Sequence, residues 1–188
     1  GAQAEAGRAG GSGASGRSLS TDVGINRFEW DLHASAGSGR GPLAPPGRYT
    51  ARLTVPNIAP VTTPVVVDLD PRLVADGITT QDLHAQYELA TRVAQLASNV
   101  QQLQSDLRAA RERAANDRDA LARVTALEER VVTRSGQAYP QPMLAAQVSY
   151  LNGIVSRNDN RPHRDAYERY EELRAEVDKA RTELQRIQ

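Results

Sequence analysis

The three histidines, His33, His84 and His163, are the residues of this chain best suited to moving a proton or holding a metal. A metal site needs convergent ligands. These three fall in a loop and at two helix starts, far apart and with no ligand spacing, so they read as solvated surface histidines. Asn158-Asp159-Asn160 offers oxygen ligands for calcium, yet lacks the glycine and the distal glutamate of an EF-hand loop and reads as a turn. Asp68 and Asp70 would serve as an acid–base pair only if they faced each other; at the end of a strand both are expected to point to one solvated side. Glu128-Glu129 and Glu171-Glu172 are adjacent on helices, where consecutive side chains diverge by about 100°. Gly11-Ser12-Gly13-Ala14-Ser15-Gly16 fits the G-x-G-x-x-G pattern, but the strand before it and the helix after it that dinucleotide binding requires are missing. The expectation is no catalytic, cofactor-binding or metal site, and a chain that is not an enzyme.

Residues suited to recognition are better represented. Tyr139, Tyr150, Tyr167 and Tyr170, with Arg157, Arg161 and Arg169, are the types that anchor protein interfaces. The competing reading, which we favour, places Tyr150 and Tyr170 at the end of a helical core with their hydroxyls at its rim. Arg108, Arg111, Arg113, Arg118 and Arg123 are interleaved with Asp106, Glu112, Asp117 and Asp119 and include no aromatic to stack on a base, so local ion pairs are expected rather than RNA binding. Trp30, which would suit a glycan-binding strand, alternates with charged neighbours and is expected to be a sheet core residue.

The 188 residues suffice for one moderate domain or two small ones. Lys+Arg and Asp+Glu are both 23, so no net charge draws the chain to nucleic acid or to an anionic membrane surface. Lys179 is the only lysine, as a GC-rich genome would favour. The absence of cysteine removes disulfides, thiolate metal sites and cysteine nucleophiles together. No apolar run approaches the roughly 20 residues of a membrane span. The chain opens on Gly without signal-peptide features, which reads as a processed chain or a piece of a longer one.

Three regions follow. Residues 1–22 are Gly, Ala, Ser and Arg almost throughout; such a segment buries too little apolar surface to offset its ordering entropy, so it is read as a flexible arm that lies along a partner. Residues 23–72 have period two. Phe28, Trp30 and Leu32 form a first strand, Tyr49, Ala51, Leu53 and Val55 a second, and Val61 to Leu69 a third that Pro64 assigns to an edge. Ala36 to Gly47 reads as an irregular connection. Residues 73–188 have helical period. The first helix, about Thr80 to Ala115 with Thr79 and Asp82 at its cap, carries the seam Leu89, Val93, Leu96, Val100, Leu103, Leu107, Ala110 and Ala114, at alternating spacings of four and three. Asn116 to Asp119 is the expected turn, though whether the first two helices are separate or one kinked rod is left open. Ala120, Val124, Leu127 and Val131 mark a second helix ended by Ser135-Gly136-Gln137, and Leu144, Val148, Leu151 and Val155 a third. Pro162 lies near the first turn of a fourth, with Ala166, Tyr170, Leu173, Val177, Ala180, Leu184 and Ile187.

Gly24-Ile25-Asn26-Arg27-Phe28-Glu29-Trp30-Asp31-Leu32, followed by Gly41-Pro42-Leu43-Ala44-Pro45-Pro46-Gly47-Arg48-Tyr49, resembles the "G-x-N-x-F-x-W-D-L … P-G-x-Y" pattern. That pattern belongs to the immunoglobulin-like module near the C-terminus of secreted bacterial sortilin-like, BNR-repeat proteins; a related one occurs in flagellar hook-capping proteins. The similarity continues through Asp70-Pro71-Arg72, Gln81-Asp82-Leu83 and Tyr139-Pro140 to Asp159 and Pro162. It implies an α+β fold, a small immunoglobulin-like sheet followed by an antiparallel three- or four-helix bundle with one long helix. The β-propeller that would carry any hydrolase site is missing, so no catalytic residue is carried over. The expected function is that of a non-catalytic, extracytoplasmic structural subunit. It would dock through its arm and bundle on protein partners in a larger assembly, such as a respiratory or photosynthetic membrane complex. The alternative is the C-terminal accessory domain of a secreted sortilin-like enzyme.

Overall fold

The computed structural model describes residues 2–7, 17–19, 23–36, 39–133, 140–157 and 159–187. The described residues form a mixed fold of small antiparallel sheets and five helices, one of them long. The chain divides into two units, Gly1–Tyr87 with Asp159–Arg161 and Glu88–Asn158 with Pro162–Gln188.

The first unit is built on a four-stranded antiparallel sheet. Its strands are β1 (Ala2–Gly7), β2 (Arg17–Leu19), β5 (Gly47–Val55) and β6 (Ile58–Val67), in the order β2-β1-β5-β6. A second, two-stranded ribbon joins β3 (His33–Ala36) to β4 (Gly39–Leu43). β5 turns into β6 through Pro56 and Asn57, where Asn57 takes a φ of 62°, as the second corner of a tight turn demands. Register places Tyr49 opposite Val65, Ala51 opposite Thr63 and Leu53 opposite Val61 on one face. Arg48, Thr50 and Arg52 stand opposite Val66, Pro64 and Thr62 on the other, so the sheet is apolar on one side and mostly polar on the other.

Two sequence expectations fail in this unit. Phe28 to Leu32 is not a strand, and extended pairing begins only at His33. Leu32 has a φ of 59°, a left-handed conformation that breaks an extended run. The turn is held by the Asp31 carboxylate, which accepts from the His33 amide at 3.2 Å, and by Ala44 N–H donating to Leu32 O at 2.6 Å. The expected loop from Ala36 to Gly47 contains β4, paired back on β3. The segment read as an arm contains β1 and β2. β1 runs antiparallel to β5, with Ala4 opposite Leu53 and Ala6 opposite Ala51, so the chain itself supplies the surface along which this segment lies.

After α1 (Pro71–Ala75), the long helix α2 spans Thr80–Arg113, about 50 Å at 1.5 Å per residue. Its start is fixed by a reciprocal box. Thr79 Oγ1 accepts from the Asp82 amide at 3.1 Å, while the Asp82 carboxylate accepts from the Thr79 amide at 3.0 Å and from its hydroxyl at 2.6 Å. α2 and α3 (Arg118–Val131) are separate helices. A 3-10 turn, Ala114–Asn116, ends the first, and extended Asp117 caps the second by accepting from the amides of Asp119 and Ala120. α3 stops at Val131, with extended Val132 after it; the expected stop at Ser135-Gly136-Gln137 lies outside the described residues. α4 (Leu144–Arg157) and α5 (Arg164–Ile187) follow, with Pro162 just ahead of the first turn of α5.

The sequence seams meet in the second unit. Leu89 through Ala110 on α2, Val124, Leu127 and Val131 on α3, Leu144, Val148, Leu151 and Val155 on α4, and Leu173, Val177, Ala180 and Leu184 on α5 form one buried cluster. Fully hiding a Leu or Val side chain stabilises by roughly 1.5–3 kcal/mol, so this cluster is the main source of the unit's stability. Truncating Leu103, which is fully buried, to alanine is expected to lower unfolding free energy by about 2–5 kcal/mol in urea titration. Val61→Thr on the exposed strand β6 should change it by less than about 0.5 kcal/mol.

Candidate functional site

Several of the groups capable of chemistry are held in local structure. His33 Nδ1 lies 2.7 Å from the Asp31 carbonyl inside the turn, His84 lies in the first turns of α2, and His163 precedes α5. No cluster of three His, Cys, Asp or Glu fit to hold a metal occurs among the described residues. Asp70 caps α1: its carboxylate accepts from the Arg72 amide at 2.9 Å and pairs with the Arg72 guanidinium at 2.6 Å. Those bonds hold its pKa down at about 2, so it stays ionised across the range in which an acid catalyst would exchange its proton. Glu128 pairs with Arg111, Glu171 with Arg174 and Glu172 with Arg169, each at 2.7 Å. As exposed pairs they contribute little to stability.

The tyrosine–arginine group expected from sequence is divided. Tyr167 and Tyr170 pack against the helical core, and the Arg92 guanidinium of α2 lies over both rings, 6.0 and 5.7 Å from their centroids. Arg169 reaches Gln147 on α4, and Arg161 lies 3.8 Å from Asp82. Tyr150, expected at the rim of the core, is instead 72% exposed on α4. It lies next to Leu151, off the phase of the buried seam, whereas Tyr170 stands three residues before Leu173 and within the seam. Tyr139 lies outside the described residues.

Trp30 and Tyr49 make a closely built feature of the first unit. Their rings meet edge to face, 5.2 Å apart at 66°. The indole N–H donates to His33 O at 3.1 Å, and the Tyr49 hydroxyl donates to the carbonyl of Pro45, four residues upstream, at 2.5 Å. Gly41, Pro42, Ala44, Pro45 and Pro46, in the segment that leads into β5, are buried. Trp30 thus serves this small cluster rather than a strand. At the hairpin end of the same sheet the opposite holds: Leu53 is 37% exposed, Val61 60% and Ile58 63%. β6 is an edge strand, as Pro64 implied. Pro60 and Pro64 offer no N–H to an incoming strand, which blunts edge-to-edge pairing. The apolar surface is therefore open to packing by its face, while its β6 edge resists extension. Sequence alternation in β5 and β6 indicates such a face but not whether anything covers it.

Comparison of the chain with protein-family models, with curated proteins and with solved structures gave no match. The sortilin-like resemblance rests on the residues quoted for it.

Two outcomes follow from the geometry. Because the folded pKa of Asp70 lies below its ordinary value of 3.8, the stability it lends is complete above about pH 4 and is lost as pH falls toward 2. Carbon-detected NMR titration should show that low midpoint, and Arg72→Ala should return it to the ordinary range. Tyr49→Phe removes the bond to Pro45 and should cost about 0.5–1.5 kcal/mol. Emission from Trp30, the only tryptophan, should shift with it.

Proposed function

We propose that this chain is a non-catalytic interaction module that docks on a protein partner through the apolar face of its four-stranded sheet. One contrast carries the reading. The seams of α2 to α5 are buried on one another, while Leu53, Ile58 and Val61 of the sheet stand in solvent. A contiguous exposed apolar patch is a common mark of a protein contact. In this reading the arm is part of the docking sheet rather than a separate staple, and the helices form an antiparallel bundle that acts as a rigid spacer. Extracytoplasmic placement and a large membrane assembly as the partner belong to the same proposal. No described helix is long and apolar enough to cross a membrane, so any membrane attachment through these helices would be indirect.

The Tyr49 hydroxyl bonded back to Pro45 O favours a second reading. A tyrosine bonded to upstream backbone at a strand corner is a hallmark of immunoglobulin-like sandwiches. It supports an immunoglobulin-like part, and with it an accessory domain of a secreted sortilin-like protein whose propeller would cover the sheet.

Affinity capture of the tagged chain from native membranes and from culture medium separates the two. Co-purification at fixed stoichiometry with a separate protein, lost in Val61→Glu and kept in a Ser149→Ala control, is the outcome expected of an interaction module. Recovery only as part of a longer propeller-bearing chain establishes the accessory domain. Equal recovery with wild type and Val61→Glu removes the sheet face from the proposal.

A further inference from the structure

Glycine follows an aspartate or an asparagine at two places in the sequence, Asp76–Gly77 and Asn152–Gly153. Such pairs react along their own backbone more readily than others. Glycine has no Cβ to hinder its amide nitrogen as that atom approaches the side-chain carbonyl of the residue before it. In an unfolded chain the asparagine pair is the faster, because its carboxamide is uncharged, whereas an aspartate is ionised at neutral pH and resists attack.

The fold reverses that order. Asn152 and Gly153 lie inside α4 between Leu151 and Val155, both buried in the helical core. Their amides belong to the helical ladder, and freeing them means drawing those side chains out of the core. Asp76 and Gly77 are exposed, in the link from α1 to α2. Gly77 has a φ of 79° and ends α1 in the left-handed manner: its amide donates to Val74 O at 3.0 Å, and the Ile78 amide to Leu73 O at 2.9 Å. With Asp76 ψ at 3°, the Gly77 nitrogen is swung away from the Asp76 side chain, and a five-membered ring closes only after ψ rotates. The last turn of α1 therefore holds the pair inert, and that turn is itself weakly held. α1 has five residues, none of them buried, and its start rests on the Asp70 cap.

We infer that Asp76–Gly77 is a site of backbone modification, which isomerises to isoaspartate through openings of the last turn of α1. Once ψ of Asp76 has rotated, the Gly77 nitrogen attacks Cγ of the protonated Asp76 carboxyl. The N–Cγ bond forms, the Cγ–OH bond breaks, and the hydroxyl leaves with the amide proton as water, giving a cyclic imide. Water then opens the imide at either carbonyl. Opening at Cγ restores aspartate; opening at the main-chain carbonyl leaves the chain running through Cγ as isoaspartate. No oxidant, reductant or cofactor is needed. The product carries one more methylene in its backbone, so the Gly77 and Ile78 amides no longer reach Val74 and Leu73. α1 is released, while the start of α2 keeps its own box between Thr79 and Asp82.

The test incubates the full chain, folded, at neutral pH and 37 °C for several weeks. Peptides are then read by electron-transfer mass spectrometry, whose fragments distinguish an isoaspartyl backbone from an aspartyl one. Isoaspartate should accumulate at Asp76 while Asn152 keeps its carboxamide. In a parallel sample unfolded in guanidinium the order should invert, with Asn152 losing ammonia before Asp76 reacts. Asp70→Ala removes the cap of α1 without touching the reacting groups, and should raise the rate at Asp76 about two- to tenfold. Asp76→Glu, whose ring would need six members, should abolish the product. A folded chain in which Asn152 converts first, one that forms no isoaspartate at Asp76, or an Asp70→Ala chain that reacts at the wild-type rate overturns the inference.

Discussion

The regular spacing of apolar residues along α2 is the constraint on which the rest of this molecule depends. Leu89, Val93, Leu96, Val100, Leu103, Leu107 and Ala110 form one line about 31 Å long at 1.5 Å per residue, and each is buried. A stripe of that length is not stable facing water, and α3, α4 and α5 supply the side chains that cover it. No polar side chain is buried among the described residues, so the helical core bears no desolvation cost from unpaired groups. Direction and register are added at the surface, by Arg111 on Glu128, Arg130 on Glu183 and Arg92 against two tyrosines. Such contacts specify more than they stabilise.

The sheet obeys a different economy. One end of its apolar face carries the Trp30–Tyr49 ring contact, and the hydrogen bonds that hold the pair reach only three and four residues along the chain. The hairpin end has no such cover in its own unit, and Leu53, Ile58 and Val61 remain exposed. A thin sheet with one apolar face is marginal alone.

Most of the helical half was legible from residue order alone, because its signals are local. Four-three spacing marks the seams, Thr79 with Asp82 marks a start, and Asp117 sits where the heptad phase slips. The strands were harder to read. Phe28, Trp30 and Leu32 alternate as a strand does, but the alternation comes from a turn in which Leu32 adopts φ 59° and Asp31 bonds to the His33 amide. Nothing in residue type announces a left-handed leucine. Ala2, Ala4 and Ala6 alternate with Gln3 and Glu5, yet alanine is too small to register as a hydrophobic period, and the partner of that segment is β5, some 45 residues away. The exposed surfaces were the least legible. Tyr150 and Tyr170 are the same residue type with arginines nearby, and only their phase against the buried seam separates a surface side chain from one packed on the core.

Hydroxyl-radical footprinting of side chains tests the division between a closed helical core and an open sheet face most directly. The purified chain is compared with the same chain in native extract. Leu53, Ile58 and Val61 should react freely in the purified chain and be protected in the extract, while Leu103 and Leu107 stay unreactive in both. Sheet residues already protected in the purified chain, or equally reactive in both samples, would contradict the division.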